Sequence, residues 1–350
     1  MKQKRTTIYD IAKALNIHAT YVSKALNEHP TINQEMIDKV KKKAAELKYR
    51  HNSFAANLRT NYSKICGVVV PKINESFFSN AIAGIEEVCS QNGHHLIICQ
   101  TQESYKKEVE AVETLIRQNV DCIIISLSLE TKNGNHLQDV LANGIALIQF
   151  DRYDESILSF IVKNDNREAA GRAVKHLLDQ GYQKIAYIGG PEHLKIYIER
   201  KQGFIDMIRE AQISIPYEYT CNISLKREES RKIALELLNS PNPPDAFFTA
   251  SDFAALGVMQ AAKDLNIAVP EKLGIFGFQN EEFTQYLTPT LSTVDQKSME
   301  LGALSAQLYF SNLHNKEVIT KNYKTEIVKC SLITNQSSDR SKKGSPIPKM

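Results

Sequence analysis

No run of apolar residues in this 350-residue sequence approaches the roughly 18 that a bilayer-spanning helix needs. The basic start, MKQKRTTIYD, leads into no apolar stretch of the kind that directs export. The chain is therefore expected to stay in the cytoplasm, with no membrane partner. Cysteines are few. Cys66, Cys89, Cys99, Cys122, Cys221 and Cys330 include no C-x-x-C pair, and several lie in apolar, strand-like runs, which points to reduced, buried thiols. His94 and His95 have no helix-spaced partner, so no metal site is expected. G-x-S-x-G, H-E-x-x-H and a P-loop lysine are all missing. IGGP at 188–191 falls short of G-x-G-x-x-G with its spaced acidic residue. With no catalytic constellation and no cofactor motif, an enzyme is not expected.

What is present fits a globular protein: 42% of residues are hydrophobic and 24% charged, in a chain long enough for two or three domains. The charge is unevenly placed. Residues 1–63 carry 12 Lys/Arg against 5 Asp/Glu, although the whole chain nets only +3. A compact positive head on a mildly acidic body implies that the head meets a polyanion and the body does something else.

Within the head, Ile8, Ile11, Ala12 and Leu15 fall on one helical face. Thr7 can cap that helix, with Asp10 in the capping-box position, and Asn16 tolerates the left-handed turn that ends it. A second helix is expected from His18 or Ala19 to Asn27, burying Val22, Ala25 and Leu26. A third, NQEMIDKVKKKAAELKY, would bury Met36, Ile37, Val40, Ala44 and Leu47, with Asn33 as N-cap. The lysines at 39, 41, 42, 43 and 48 read as a solvated face that adds to the positive field. Three short helices with a tight turn between the first two make a helix-turn-helix.

The series YDIAKALNI, YVSKALN, AAELKY and NSFAANL resembles the head of the lactose/galactose-repressor (LacI/GalR) family of bacterial transcription regulators. The resemblance runs to about residue 336. It implies double-stranded operator DNA as partner, with Ala19, Thr20 and Lys24 at base-reading positions in the major groove. Thr7, Tyr9, His18, Tyr21, Ser23 and Asn27 match phosphate-contact or capping positions; for Tyr21, a helix-packing role stays open. Three departures stand out: Leu15-Asn16 where the family has Ala-Gly, His18 where it has Ser, and Tyr21 where it has Thr. Histidine is a weaker N-cap than serine.

Residues 50–62 correspond to the family's hinge helix, too short to be stable alone and expected to order in the minor groove. There Asn52 would cap, Ala55 would permit close approach and Leu58 would wedge between base steps. His51 replaces a family proline, which frees a backbone angle.

Beyond residue 63 the pattern becomes strand, helix, strand. ICGVVV, HLIIC, CIIISLS and IALIQFD alternate with helical stretches near 78–92, 105–119 and 136–143; the alternation restarts at KIAYIGG, AFFTAS and LGIFGF. This is an α/β body with parallel sheets. The resemblance makes it two-lobed and periplasmic-binding-protein-like, with a first lobe of 63–162 plus 294–322 and a second of 163–293 plus 323–336. The head would end at residue 49, and the polar 337–350 is expected to be disordered. A homodimer is implied, as is a small-molecule effector in the cleft.

Phe77, Phe78, Ser126, Asp151, Arg200, Ser251 and Gln279 match effector contacts of the family. The phenylalanines would stack on a ring and Arg200 would bond hydroxyls or an anion. Gln279-Asn280 stands where the family commonly has Asp-Asp or Asp-Asn, and Ser251-Asp252 where it has Asn-Asp. Losing the carboxylate at 279 widens the field from a plain sugar to a sugar acid, a sugar phosphate or an oligosaccharide fragment. The expected function is a repressor whose operator affinity answers to that effector. Two other classes would look different: a solute-binding protein needs an export signal and no YVSKALN, and an enzyme with an accessory DNA head needs a reactive group in the cleft.

Overall fold

The computed structural model describes residues 6–49, 62–312 and 323–341, and the chain divides into two units, residues 1–63 and 64–350. In the first unit, helix α1 (Ile8–Leu15) starts at Thr7, whose N–H and hydroxyl donate to the Asp10 carboxylate at 2.8 and 2.7 Å. It ends at Asn16, left-handed at φ 54°. Helix α2 (Ala19–Leu26) follows an extended His18 whose side chain makes no cap bond. Asn33 caps α3 (Gln34–Glu46) by accepting from the Met36 N–H at 3.0 Å. Ile11, Val22, Ala25, Ile37 and Val40 form the buried centre, whereas Met36, Leu26 and Leu47 are half-buried at its margin. The Thr6 hydroxyl donates to Leu47 O at 2.9 Å, fixing the start of the unit to the end of α3. Of the hinge expected over 50–62, only Tyr62 lies within the described residues.

In the second unit, β1 (Ile65–Val70), β2 (His95–Gln100), β3 (Cys122–Ile125), β4 (Ala146–Phe150) and β5 (Phe160–Asn164) alternate with α4 (Ser76–Gln91), α5 (Tyr105–Arg117) and α6 (Gln138–Ala142). Helices α7 (Asn166–Asp179), α8 (Lys195–Glu210), α9 (Arg227–Leu238) and α10 (Asp252–Asp264) accompany β6 (Ile185–Gly189), β7 (Thr220–Asn222), β8 (Ala246–Thr249) and β9 (Gly274–Phe276). The chain then runs through β10 (Thr293–Asp295), α11 (Ser298–Asn312), β11 (Thr325–Val328) and β12 (Ser331–Ile333). The first lobe is a parallel sheet in the order β11-β5-β4-β3-β1-β2, and the second a parallel sheet in the order β7-β6-β8-β9. Helices cover such sheets on both faces, so central strands such as CIII are buried throughout rather than alternating. Helix α11 packs on α4 at a glycine crossing: a Cβ on Gly302 would lie 2.0 Å from Ala81 O, and one on Gly84 would lie 2.1 Å from Met299 O.

Two expectations are corrected. Residues from 323 do not pass directly to the second lobe: β11 joins the first-lobe sheet in register with β5 (Thr325 opposite Ile161), and only β12, antiparallel to β10, crosses over. Parallel pairing with β5 satisfies the backbone of this edge while Val328 enters the first-lobe core. The tail is also ordered as far as residue 341. Ser337, Ser338 and Asp339 are buried, Ser337 donates its hydroxyl to Ile275 O at 2.6 Å, and the Arg340 guanidinium stacks 3.9 Å from the Tyr182 ring centre. Polar composition suggested disorder, but here the polar groups satisfy carbonyls along the second lobe.

Three segments link the lobes, after β5, after β10 and after β11. Buried Asn164 joins them: its amide donates to Gln296 O and Val328 O at 2.8 and 3.0 Å, and its Oδ1 accepts from Gln296 Nε2 at 3.0 Å. The cysteines are all free thiols. Hydrogen bonding to a neighbouring thiol, with burial, pushes Cys66 and Cys89 up, and burial pushes Cys122 up, away from the reactive thiolate.

Candidate functional site

The head presents one helix in two ways at once. Val22 and Ala25 of α2 are fully buried, while Thr20, Tyr21 and Lys24 are exposed. Thr20 and Lys24 are four residues apart and so share one face. Ala19 is half-buried and packs against the head core. Around them Thr7, His18 and Asn27 are exposed, Ser23 is half-buried, and Tyr9 projects at 71% exposure. Asn27 also acts locally, donating its amide to Ser23 O at 2.7 Å at the end of α2. Tyr21, at 39% exposure, is outside the buried centre. Asn52, Ala55 and Leu58 lie outside the described residues.

In the body, the carboxyl ends of the strands face a cleft between the lobes, where ligands of open α/β sheets bind. Ser126 follows β3 and Asp151 follows β4. Both are buried, with the Ser126 hydroxyl 3.5 Å from Asp151 Oδ2. Asp151 adopts φ 57°, a strained left-handed conformation for a non-glycine residue. Burial pushes its carboxyl up, against the opposing pull of Arg152 and Arg200.

Arg200, on α8 of the second lobe, is 2% exposed. It donates Nε to Asn166 Oδ1 at 2.9 Å and Nη1 to Ala250 O at 2.8 Å, and its guanidinium lies 3.8 Å from the Phe278 ring centre. Ser251 caps α10 and donates to Gln279 Oε1 at 2.8 Å, so these two expected contacts meet each other. Phe77 and Phe78 are buried in the first-lobe core, edge to face at 5.0 Å. Phe78 carries the Arg152 guanidinium 5.7 Å from its ring centre.

Several residues of this cleft escaped the sequence reading. Arg152 reaches back to Glu103, donating Nη1 to its carboxylate at 2.8 Å. Glu281 crosses from the second lobe to α4, where its two oxygens accept from Ser76 N at 3.0 Å and Phe77 N at 3.3 Å. A carboxylate there satisfies free N–H groups and complements the positive end of the helix. His193 Nε2 donates to Leu129 O at 2.6 Å, and Lys163 pairs with Glu199 at 2.6 Å, again between lobes. Behind Glu281, buried Asp252 accepts from the Thr293 hydroxyl at 2.6 Å and the Glu281 N–H at 2.8 Å. Gly277 leaves room for it, since a Cβ there would sit 2.1 Å from Asp252 Oδ1. Burial pushes the Asp252 carboxyl up from its ordinary 3.8 to about 7. The one local signal for Arg152 was its place directly after Asp151; nothing local marked Glu281. Among the described residues no group of three or more His, Cys, Asp or Glu could hold a metal ion.

Set beside known proteins, residues 174–338 match the periplasmic binding protein-like domain. The chain is 30% identical over 319 residues to the ribose operon repressor of Halalkalibacterium halodurans, covering 91% of this chain and 93% of that protein. It is 29% identical over 322 residues to the transcriptional repressor CytR of Escherichia coli, covering 91% and 94%. Among solved structures, a lac repressor dimer bound to operator and the anti-inducer ONPF matches with a TM-score of 0.83 at 22% identity, over 96% of this chain and 99% of that one. At that identity the likeness is one of fold.

Proposed function

The chain belongs to the lactose/galactose-repressor (LacI/GalR) family of bacterial transcription regulators, and on that footing we propose that it is a repressor that binds a pseudo-palindromic operator as a homodimer. Its operator affinity is controlled by a small sugar or sugar derivative held in the cleft of the body. The observation that carries this reading is α2, whose buried Val22 and Ala25 fix a helix that offers Thr20 and Lys24 to a partner. Lys24 can donate to guanine O6 and N7, and the methyls of Ala19 and Thr20 can pack on a thymine methyl. Thr7, Tyr9, His18, Tyr21, Ser23 and Asn27 surround that face and suit phosphate contacts that set register. Leu58 is the proposed minor-groove wedge, with Asn52 and Ala55 in its helix.

The body acts on the head only if the effector binds one arrangement of the lobes better than another. Ser126, Asp151 and Arg200 line the cleft from both lobes, with Ser251 and Gln279 at its second-lobe edge. Curated relatives that are repressors, rather than enzymes, favour regulation over turnover. The full chain, offered a randomised duplex pool, should select a palindromic site bound about a thousandfold more tightly than random DNA, with affinity falling steeply with salt. Lys24→Ala should cost about 1–3 kcal/mol of discrimination at one base pair per half-site. No preferred duplex would overturn the proposal, and a loss equal across all operator variants would reduce Lys24 to a phosphate contact.

A further inference from the structure

At the end of the first-lobe sheet opposite the cleft, where β1, β2 and β3 begin, one buried pair of ionisable side chains has no part in effector binding. His94, just before β2, and Asp121, just before β3, have side chains only 7% exposed, with His94 Nε2 3.5 Å from Asp121 Oδ2. Asp121 Oδ2 also accepts from the Lys64 N–H at 2.7 Å. Lys64 is the first residue of the second unit. It adopts φ 58°, a left-handed conformation that a residue with a Cβ keeps only where its surroundings impose it. Here they do: the Lys64 carbonyl accepts from the His95 N–H at 2.9 Å, and the Ile65 carbonyl from the Asp121 N–H at 2.8 Å, so three strand starts meet at this residue.

Each ring nitrogen of His94 faces a group that can only accept. Nδ1 lies 3.0 Å from the Asn92 carbonyl oxygen, and Nε2, with no hydrogen bond among the described residues, meets the Asp121 carboxylate. A neutral imidazole has one N–H and one lone pair, and would set that lone pair against an oxygen in a site closed to water. An imidazolium donates to both. Two further features favour the cation. Asn92 ends α4, and the negative end of a helix dipole stabilises a charged histidine. Tyr309 and Phe310 of α11 meet the imidazole in T-shaped contact, with ring centres 6.0 and 4.9 Å away, and aromatic rings attract a cation. Among the described residues Asp121 is the one carboxylate in ion-pair reach of His94. The other ionisable groups beside it are the Tyr309 phenol, Cys89, whose carbonyl accepts the His94 N–H at 2.9 Å, and exposed His95 and Lys64.

We propose that His94 and Asp121 form a charged clamp that fixes where the chain leaves the body for the hinge, and that the clamp holds only while His94 carries a proton on both nitrogens. Asp121 is then a positioning residue for operator binding, acting through Lys64. This rests on the reading of the chain as a repressor with a hinge at 50–62. A fixed exit lowers the ordering cost of placing that hinge on DNA. As pH rises and the proton leaves, a neutral ring faces Asp121, Lys64 is released and specific affinity falls.

The test uses the full chain and the palindromic duplex it selects, with random DNA of equal length as the nonspecific reference. Long-range proton–nitrogen correlation spectra should show both His94 nitrogens protonated at about pH 7. Asp121→Asn should lose that state and weaken specific binding about tenfold, leaving nonspecific binding within about twofold. From about pH 6 to about pH 9 the wild type should lose specific affinity, and His94→Gln, which cannot titrate, should lack that part of the slope. His18 and His29 of the head are present in both proteins, so the difference between the profiles is what is read. Circular dichroism confirms that the variants fold; if Asp121→Asn does not, the loss of specific binding is read from His94→Gln at about pH 6, where the wild-type clamp is complete.

A His94 nitrogen left unprotonated at neutral pH would overturn the charged clamp. So would a folded Asp121→Asn that binds operator as the wild type does, losses equal for specific and nonspecific DNA, or parallel pH profiles; each of these leaves the repressor reading standing. A wild type with no preferred duplex would instead sink the repressor reading, and with it the role of the clamp at the operator.

Discussion

Asp252 shows how one buried carboxyl ties the second lobe together and leaves a signature in pH. It accepts from the Thr293 hydroxyl and the Glu281 N–H, and burial raises its folded value from 3.8 to about 7. Between those limits the native state binds the proton and the unfolded chain does not. The contribution of this group to stability is therefore complete at low pH and is lost as pH rises towards about 7. The urea midpoint of Asp252→Asn, measured from about pH 4 to pH 8, should fall less with rising pH than that of the wild type. Parallel profiles would show that Asp252 titrates normally. Its neighbour Gly277 was legible only as part of a strand end. That the glycine makes room for Asp252 depends on an atom 25 positions away in sequence and about 2 Å away in space.

At the scale of elements, the helices of the head were legible because their signals are local. The Thr7–Asp10 cap, the left-handed Asn16 and the Asn33 cap each involve residues within one turn of the helix they bound. The fit of α4 to α11 was not legible. Gly84 and Gly302 each face the partner's backbone, too near for a Cβ, so the two axes approach as small residues allow. Gly302→Ala should force the helices apart and cost about 1–3 kcal/mol in urea unfolding. An unchanged midpoint would mean that the crossing relaxes freely.

Helix α4 also carries the Glu281 contact at its first turn, and this is an element-level joint between lobes. Replacing that carboxylate by an amide removes a charge-assisted bond to the helix N-terminus. In Glu281→Gln, amide exchange at Ser76 and Phe77 should speed up about tenfold, through easier local opening. Unchanged protection at these two amides would show that the joint does not hold the lobes.

For the whole molecule, the division of labour follows from where charge sits. The first 63 residues hold an excess of Lys/Arg and a helix whose outer face is polar. Most ion pairs of the body lie within one lobe, but a few polar contacts cross between lobes: Lys163 with Glu199, Lys195 with Glu155, and Glu281 with the first turn of α4. Relative lobe position is therefore set by a few polar joints and three crossing segments. Asn164 gathers those segments, bonding Gln296 at a separation of 132 residues and Val328 at 164. A module built this way can change arrangement without unfolding, because the second-lobe core is a cluster separate from the two clusters of the first lobe.

The sequence by itself determined the helix-turn-helix, the alternation of strand and helix in the body, and the outward face of α2. These depend on periodicity, caps and turns within a few residues of one another. Only the tertiary structure decided that β11 belongs to the first sheet, that 337–341 pack on the second lobe, and that Arg152, Glu103 and Arg200 share one cleft. Apolar strands offer equally good edges to several partners, and polar residues far apart in the chain look like solvent-facing ones until folding buries them together. Which edge is taken, and which charges end up face to face, is settled by contacts between distant segments that no local pattern encodes.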